Sequence, residues 1–243
     1  FIFPGQPKGI RSGTVLWERT KIPMIPKEKK LRFLTVDQFF QVYLNDIEIF
    51  HVGNPSKPDD LTYGNTLHII DLPKSESPIY LCFRIFSRTS NVGLVSSVFI
   101  GSGENHLTEV FQKEIFKLIC IGFFLLISIA LFATSFLKYG GYGYLSFGLF
   151  LTASTVWLLT QTEIKIFLFD NPFFWRVLDI FFLFQIPVWI LKFYIEIFGH
   201  GPLKINYRLF QFFVIYAILA WFLIVFKFLQ LEYLLLPFQI SAL

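Results

Sequence analysis

The sequence predicts an all-β sandwich domain followed by an α-helical transmembrane bundle. Three observations predict it. The charges are uneven: residues 1–112 hold 12 Lys+Arg and 11 Asp+Glu, whereas residues 113–243 hold 9 and 6. The second half contains uncharged apolar stretches of eighteen to twenty residues, the length a helix needs to cross a hydrocarbon core. The first half alternates apolar and polar side chains with a period of two, with turn residues between the runs. Over all 243 residues, 54% are apolar and 16% charged, with a mean hydropathy of +0.59. A single soluble domain carries about a quarter charged residues, so that class is excluded.

The β elements come first. Ile79, Leu81, Phe83 and Ile85 alternate with Tyr80, Cys82, Arg84 and Phe86, the pattern of a half-buried strand. Residues 40–44 and 47–50 flank Asn45-Asp46; two short polar residues that tolerate positive φ between β-prone runs predict a hairpin. Further strands are expected at 14–22, 31–36, 66–70 and 92–100, separated by Gly53-Asn54-Pro55, Lys57-Pro58-Asp59-Asp60 and Leu72-Pro73. Several short strands over about a hundred residues read as a sandwich.

A helical period sets in near Glu104, with Leu107, Val110, Phe111 and Ile115, and no Gly or Pro interrupts it before the first span. The expected organisation is a β domain at 1–103, a connecting helix at 104–117 and a membrane bundle from 118 to 243. Its spans are expected at about 118–137, 143–160, 173–198 and 209–226, with 231–243 as a truncated fifth. Thirteen residues containing Pro237 are too few to cross, so the chain is expected to be a fragment ending inside that helix. The second span carries Ser146, Gly148, Thr152, Ser154 and Thr155, small residues of the kind found where helices pack closely in lipid.

The third span is unusual in carrying Arg176, Asp179, Gln185, Pro187, Lys192 and Glu196. Ionisable residues inside a membrane mark functional candidates. Arg176 with Asp179, and Lys192 with Glu196, have the spacing to meet on one helix face. Near helix ends the same residues also serve as interfacial anchors. Gln185 and Pro187 fit a kink.

The net charge of +4 is scattered over loops, which gives a nucleic-acid partner little support; the lipid bilayer is the expected surface. No metal spacing links His51, His68, His106 and His200. No catalytic triad, phosphate loop or carboxylate pair stands out. Neither catalytic nor metal residues, nor a cofactor, are therefore assigned. Trp17 and Arg19 share one strand face, with Arg84 on a candidate partner strand. An aromatic plate beside guanidinium groups can stack a sugar ring and bind hydroxyl or carboxylate groups. The alternative is that Trp17 fills the core while Arg19 pairs at its rim.

Three stretches together resemble a galactose-binding-like jelly roll. Gly13-Thr14-Val15-Leu16-Trp17-Glu18-Arg19-Thr20 is similar to its opening W-x-R strand. Val42-Tyr43-Leu44-Asn45-Asp46-Ile47-Glu48-Ile49 with Gly53 is similar to its hairpin, and Leu72-Pro73 with 79–87 to its closing segment. Where the family hairpin usually has Asn-Gly, this chain has Asn45-Asp46. Followed by apolar helices, the arrangement resembles the bacterial seven-transmembrane receptors with diverse intracellular signalling modules. That resemblance implies a sensor in the cytoplasmic (inner) membrane, multi-pass, with residues 1–112 outside the cytoplasm. It would bind a small molecule or carbohydrate there and relay the signal to an output domain beyond this sequence. It implies no enzyme in this fragment; a cyclase, kinase or phosphatase would follow in the full-length protein. A homodimer is compatible with this reading. The distribution of Lys and Arg among the loops does not by itself decide the orientation. The alternative function is a transporter or channel subunit with an extracytoplasmic β domain.

Overall fold

A computed structural model describes residues 15–25, 27–36, 38–53, 65–87, 94, 98–137 and 142–225. The chain divides into two compact units. One comprises Phe1–Ile115 with Glu163–Arg176, the other Phe116–Thr162 with Val177–Leu243.

The first unit holds two open antiparallel sheets. Strands β1 (Val15–Ile22), β6 (Ile79–Ser87), β3 (Gln38–Leu44) and β4 (Ile47–Val52) form one, in the order β1-β6-β3-β4. Strands β5 (Asn65–Leu72), β2 (Lys29–Val36) and β7 (Phe99–Gly101) form the other, in the order β5-β2-β7. The expected strand at 92–100 is described only at its end, as β7; residues 91–93 and 95–97 lie outside the described residues. Side chains alternate about the sheet planes, so Phe40, Val42, Leu81, Phe83 and Ile85 point inward with Leu31 and Phe33 of the other sheet. Phe33 meets Phe40 and Phe83 edge to face at centroid separations of 5.3 and 5.1 Å, a favoured aromatic geometry. These contacts join the two sheets about one core. The strands thus form two packed antiparallel sheets, neither of them closed.

The hairpin forms as its turn residues demand. Asn45 and Asp46 have φ of 46° and 69°, the left-handed values required at both centres of a two-residue type I′ turn. Asn45 also accepts a hydrogen bond at Oδ1 from the Tyr80 amide (2.8 Å) and donates its own amide to the Tyr80 carbonyl (2.9 Å). The turn is therefore tied to the start of β6. In β4 an irregularity pairs Val42 with Phe50 but Tyr43 with Glu48, leaving Ile49 as an extra residue.

Helix α1 (Gly103–Phe136) is continuous over 34 residues, beginning in the first unit and ending in the second. The expected connecting helix and first span are one element. After it come α2 (Tyr142–Thr160), the short α3 (Lys165–Leu168), α4 (Pro172–Phe198) and α5 (Ile205–Val225). Among the described residues, four helices are long and apolar enough to cross a membrane. Pro187 lies inside α4, which continues through it. The expected truncated span at 231–243 lies outside the described residues. Within the second unit, Ser128 Oγ on α1 donates to the Gly148 carbonyl (3.0 Å) and lies 2.7 Å from Thr152 Oγ1. Glycine at 148 permits this approach, since a Cβ there would stand 2.9 Å from the Phe132 ring. Phe147 of α2 stacks on Phe193 of α4 at 4.7 Å. Ile180, Phe184 and Val188 of α4 form a core with Phe213, Ala217 and Ala220 of α5.

Candidate functional site

The antiparallel register brings the three residues expected to bind a ligand onto the outer face of the four-stranded sheet. Trp17 pairs with Arg84, Arg84 with Gln41, and Gln41 with His51. One row of side chains thus crosses all four strands. The next row is Arg19, Cys82, Tyr43 and Glu48. The extra residue in β4 decides the last position of each row. Strict alternation would put Glu48 and His51 on opposite faces; with Ile49 bulged they share one.

The side chains interlock. Arg84 Cζ lies 5.8 Å from the centre of the Trp17 ring, whose other neighbour is Tyr43 at 5.8 Å. Arg84 Nη1 donates to Gln41 Oε1 (2.8 Å), and Gln41 Nε2 donates to Glu48 Oε2 (2.8 Å). Glu48 Oε1 lies 2.9 Å from His51 Nδ1. Beside this chain, Arg19 Cζ sits 4.0 Å above the Tyr80 ring, within cation–π range. Trp17 remains 60% exposed, so it does not fill the core. Gln41 fixes the orientation of the Arg84 guanidinium, and the open Trp17 ring supplies an apolar plate beside it. Such a surface can stack the apolar face of a sugar while guanidinium and carboxylate groups meet its hydroxyls.

Away from that face, burial shifts the pKa of two groups in this unit. His68 of β5 is enclosed by Phe33, Phe40 and Phe50, and its Nε2 lies 2.9 Å from Thr35 Oγ1. Burial favours the neutral imidazole and lowers its pKa to about 4. Glu18, on the inward side of β1, is pushed above the ordinary carboxylate range by burial, an effect that a backbone hydrogen bond at Leu94 opposes.

A second polar constellation was not singled out in the sequence. On the three-stranded sheet, buried Arg32 donates from Nη2 to Glu109 Oε2 (2.6 Å) and from Nη1 to the His106 carbonyl (3.2 Å). Its guanidinium also lies 4.7 Å from the Phe99 ring centre. His106 Nε2 reaches the Lys30 carbonyl (2.9 Å), which assigns the proton to that nitrogen. Lys113 pairs with Glu163. The signal that could have revealed this cluster is an arginine inside the apolar run Leu31-Arg32-Phe33-Leu34. Its partners lie more than seventy residues away, beyond the reach of any local pattern.

Among the polar residues of the third span, Asp179 accepts from Gln161 Nε2 (2.7 Å) and Thr160 Oγ1 (3.3 Å). It therefore joins α4 to the end of α2. Arg176 falls in the first unit and Asp179 in the second. Lys192 lies 5.5 Å from the ring centre of Trp189; it forms no ion pair with Glu196, which is exposed. Gln185 lines a cavity of about 370 Å³ between α4 and α5, with Phe181, Val214 and Trp221. Among the described residues, no group of three or more His, Cys, Asp and Glu is placed to hold a metal ion. Comparison with protein-family models gives no match, and neither does comparison with curated proteins or with solved structures.

Proposed function

We propose that this chain is the sensor portion of a bacterial membrane signal-transduction protein. Its β unit, of galactose-binding-like jelly-roll type, lies outside the cytoplasm and binds a small ligand of the carbohydrate class on the Trp17–Arg84–Gln41 face. The observation that carries this reading is the exposed Trp17 ring beside an arginine whose orientation Gln41 sets. The ring is 60% exposed and flanked by Tyr43 and Arg84, so a ligand can reach its open face while those two groups stand at its edges. The continuous α1 supports the relay. A helix without a break transmits a displacement or rotation of its first turns, and a ligand shifts such an element when it binds two arrangements unequally.

The test uses the full chain in lipid nanodiscs and a panel of soluble mono- and oligosaccharides, read by tryptophan fluorescence and calorimetry. A sugar on Trp17 should perturb the indole emission, and Trp17→Ala and Arg84→Ala should each weaken binding by about tenfold or more. A panel without binding, or binding indifferent to both variants, would remove carbohydrate recognition at this face.

A second reading, a transporter or channel subunit, draws on the cavity that Gln185 lines within the helices. Solute uptake into vesicles that is lost in Gln185→Leu and Asp179→Asn would favour it over the sensor.

A further inference from the structure

The cavity beneath the first turns of α1 has a different charge plan from the outer sheet face. It measures about 370 Å³, within the range of small-molecule sites. Two ion pairs stand in its wall: Arg32 with Glu109, and Lys113 with Glu163. Leu34, Leu67 and Phe99 supply apolar lining. We propose that this cavity binds a small zwitterion of the α-amino-acid class.

Charge balance carries the argument. The lining holds two cations and two anions, so its formal charge is zero. A ligand with a net charge would break one of these pairs and leave a lining charge uncompensated in a partly buried setting, which is unfavourable. A zwitterion carries one charge of each sign and exchanges them pair for pair. The two ion pairs are also unequal in a way that suits such an exchange. The Glu163 side chain is only 13% exposed, whereas its partner Lys113 is 65% exposed on a flexible stem. A ligand ammonium can replace the lysine on Glu163 while Lys113 swings to the ligand carboxylate. Arg32 is the fixed element, its side chain 10% exposed and held by Glu109, the His106 carbonyl and the Phe99 ring. Its charge is already offset by Glu109, so Lys113 is the cation that turns to the ligand carboxylate. The apolar lining then receives the ligand's side chain, which favours aliphatic or aromatic amino acids.

This site is separate from the Trp17 face, and its test separates the two. The full chain in nanodiscs is titrated by calorimetry with free L-amino acids, including glycine, leucine and phenylalanine. Controls are 4-methylvalerate and isoamylamine, which each keep one charge of leucine, and glucose, which keeps none. At least one apolar amino acid should bind, with both single-charge analogues weaker by about tenfold or more. Glu163→Gln and, separately, Lys113→Met should each weaken it by a similar factor, whereas Trp17→Ala should leave it unchanged. Circular dichroism and thermal unfolding of each variant establish that it is folded, and the variant that retains the wild-type profile decides. No amino-acid binding at roughly 10 mM ligand overturns the proposal, as does equal binding of an analogue or indifference to both substitutions. Sugar binding lost in Trp17→Ala, with no amino-acid binding, would leave the outer-face reading standing and remove this one.

Discussion

At the scale of single residues, buried His68 connects packing to pH. The folded imidazole takes a proton only near pH 4, whereas an unfolded one does so near 6.5. Between those values the unfolded chain binds more protons, so stability falls as pH drops through the window. It is complete above about 6.5 and levels off below about 4. The shift corresponds to about 3 kcal/mol at most. Urea unfolding of the full chain in micelles from pH 8 to pH 4, followed by the β-unit signal, should show this loss. His68→Gln should flatten it. Asp46 offers a test of opposite sign. With φ at 69°, it holds a left-handed position that glycine adopts without steric cost. Asp46→Gly is expected to stabilise the hairpin by about 0.5–1 kcal/mol, measured as a raised unfolding midpoint.

Among the elements, the packing of α1 on α2 depends on an absent side chain. Gly148 lets Ser128 reach its carbonyl while the Phe132 ring occupies the space a Cβ would take. Gly148→Leu should force these helices apart, at about 1–3 kcal/mol, seen as a lower thermal midpoint in micelles. Ser128→Ala removes only a hydroxyl and should have a smaller effect. The same scale explains the docking of the first turns of α1 within the β unit. Arg32, His106 and Glu109 join helix to sheet through directional bonds, whereas an apolar face alone would permit sliding. Those bonds tie the early part of α1 to the sheet, an attachment the proposed relay requires.

At the scale of the whole molecule, the two units follow from two solvents. Among the described residues, the most apolar window of α1 is 6% buried and that of α2 33%, with 17% for α4 and for the last helix, so most of this apolar surface is left uncovered. In water such a surface would aggregate; in a bilayer it is solvated. The chain should therefore stay with membranes through alkaline carbonate and high-salt washes and be released only by detergent. In the proposed orientation, protease added outside the cytoplasmic membrane should shorten the β unit and spare the helices. Cleavage restricted to inverted vesicles would reverse the orientation.

Much of this architecture was legible because it depends on local or one-dimensional patterns. A period of two in 79–86 reports a half-buried strand, Asn45-Asp46 reports a turn, and an uncharged stretch at 118–137 reports a bilayer length. The unbroken helix across residues 103–136 was equally readable, since no Gly or Pro stands in the run from Glu104 to the first span. Trp17, Arg19 and Arg84 could be nominated for the same reason: alternation assigns faces within a strand. Their meeting required the register of β1 on β6. The recruitment of Gln41, Glu48 and His51 required the order β1-β6-β3-β4 and one bulged residue. Arg32 with Glu109, Lys113 with Glu163, and Asp179 with Gln161 were decided by tertiary structure alone. Sequence pattern records which face of an element a side chain occupies, because the backbone repeat sets it. Which distant face it meets depends on how all the apolar surfaces are buried together, and that choice is made only when the chain folds.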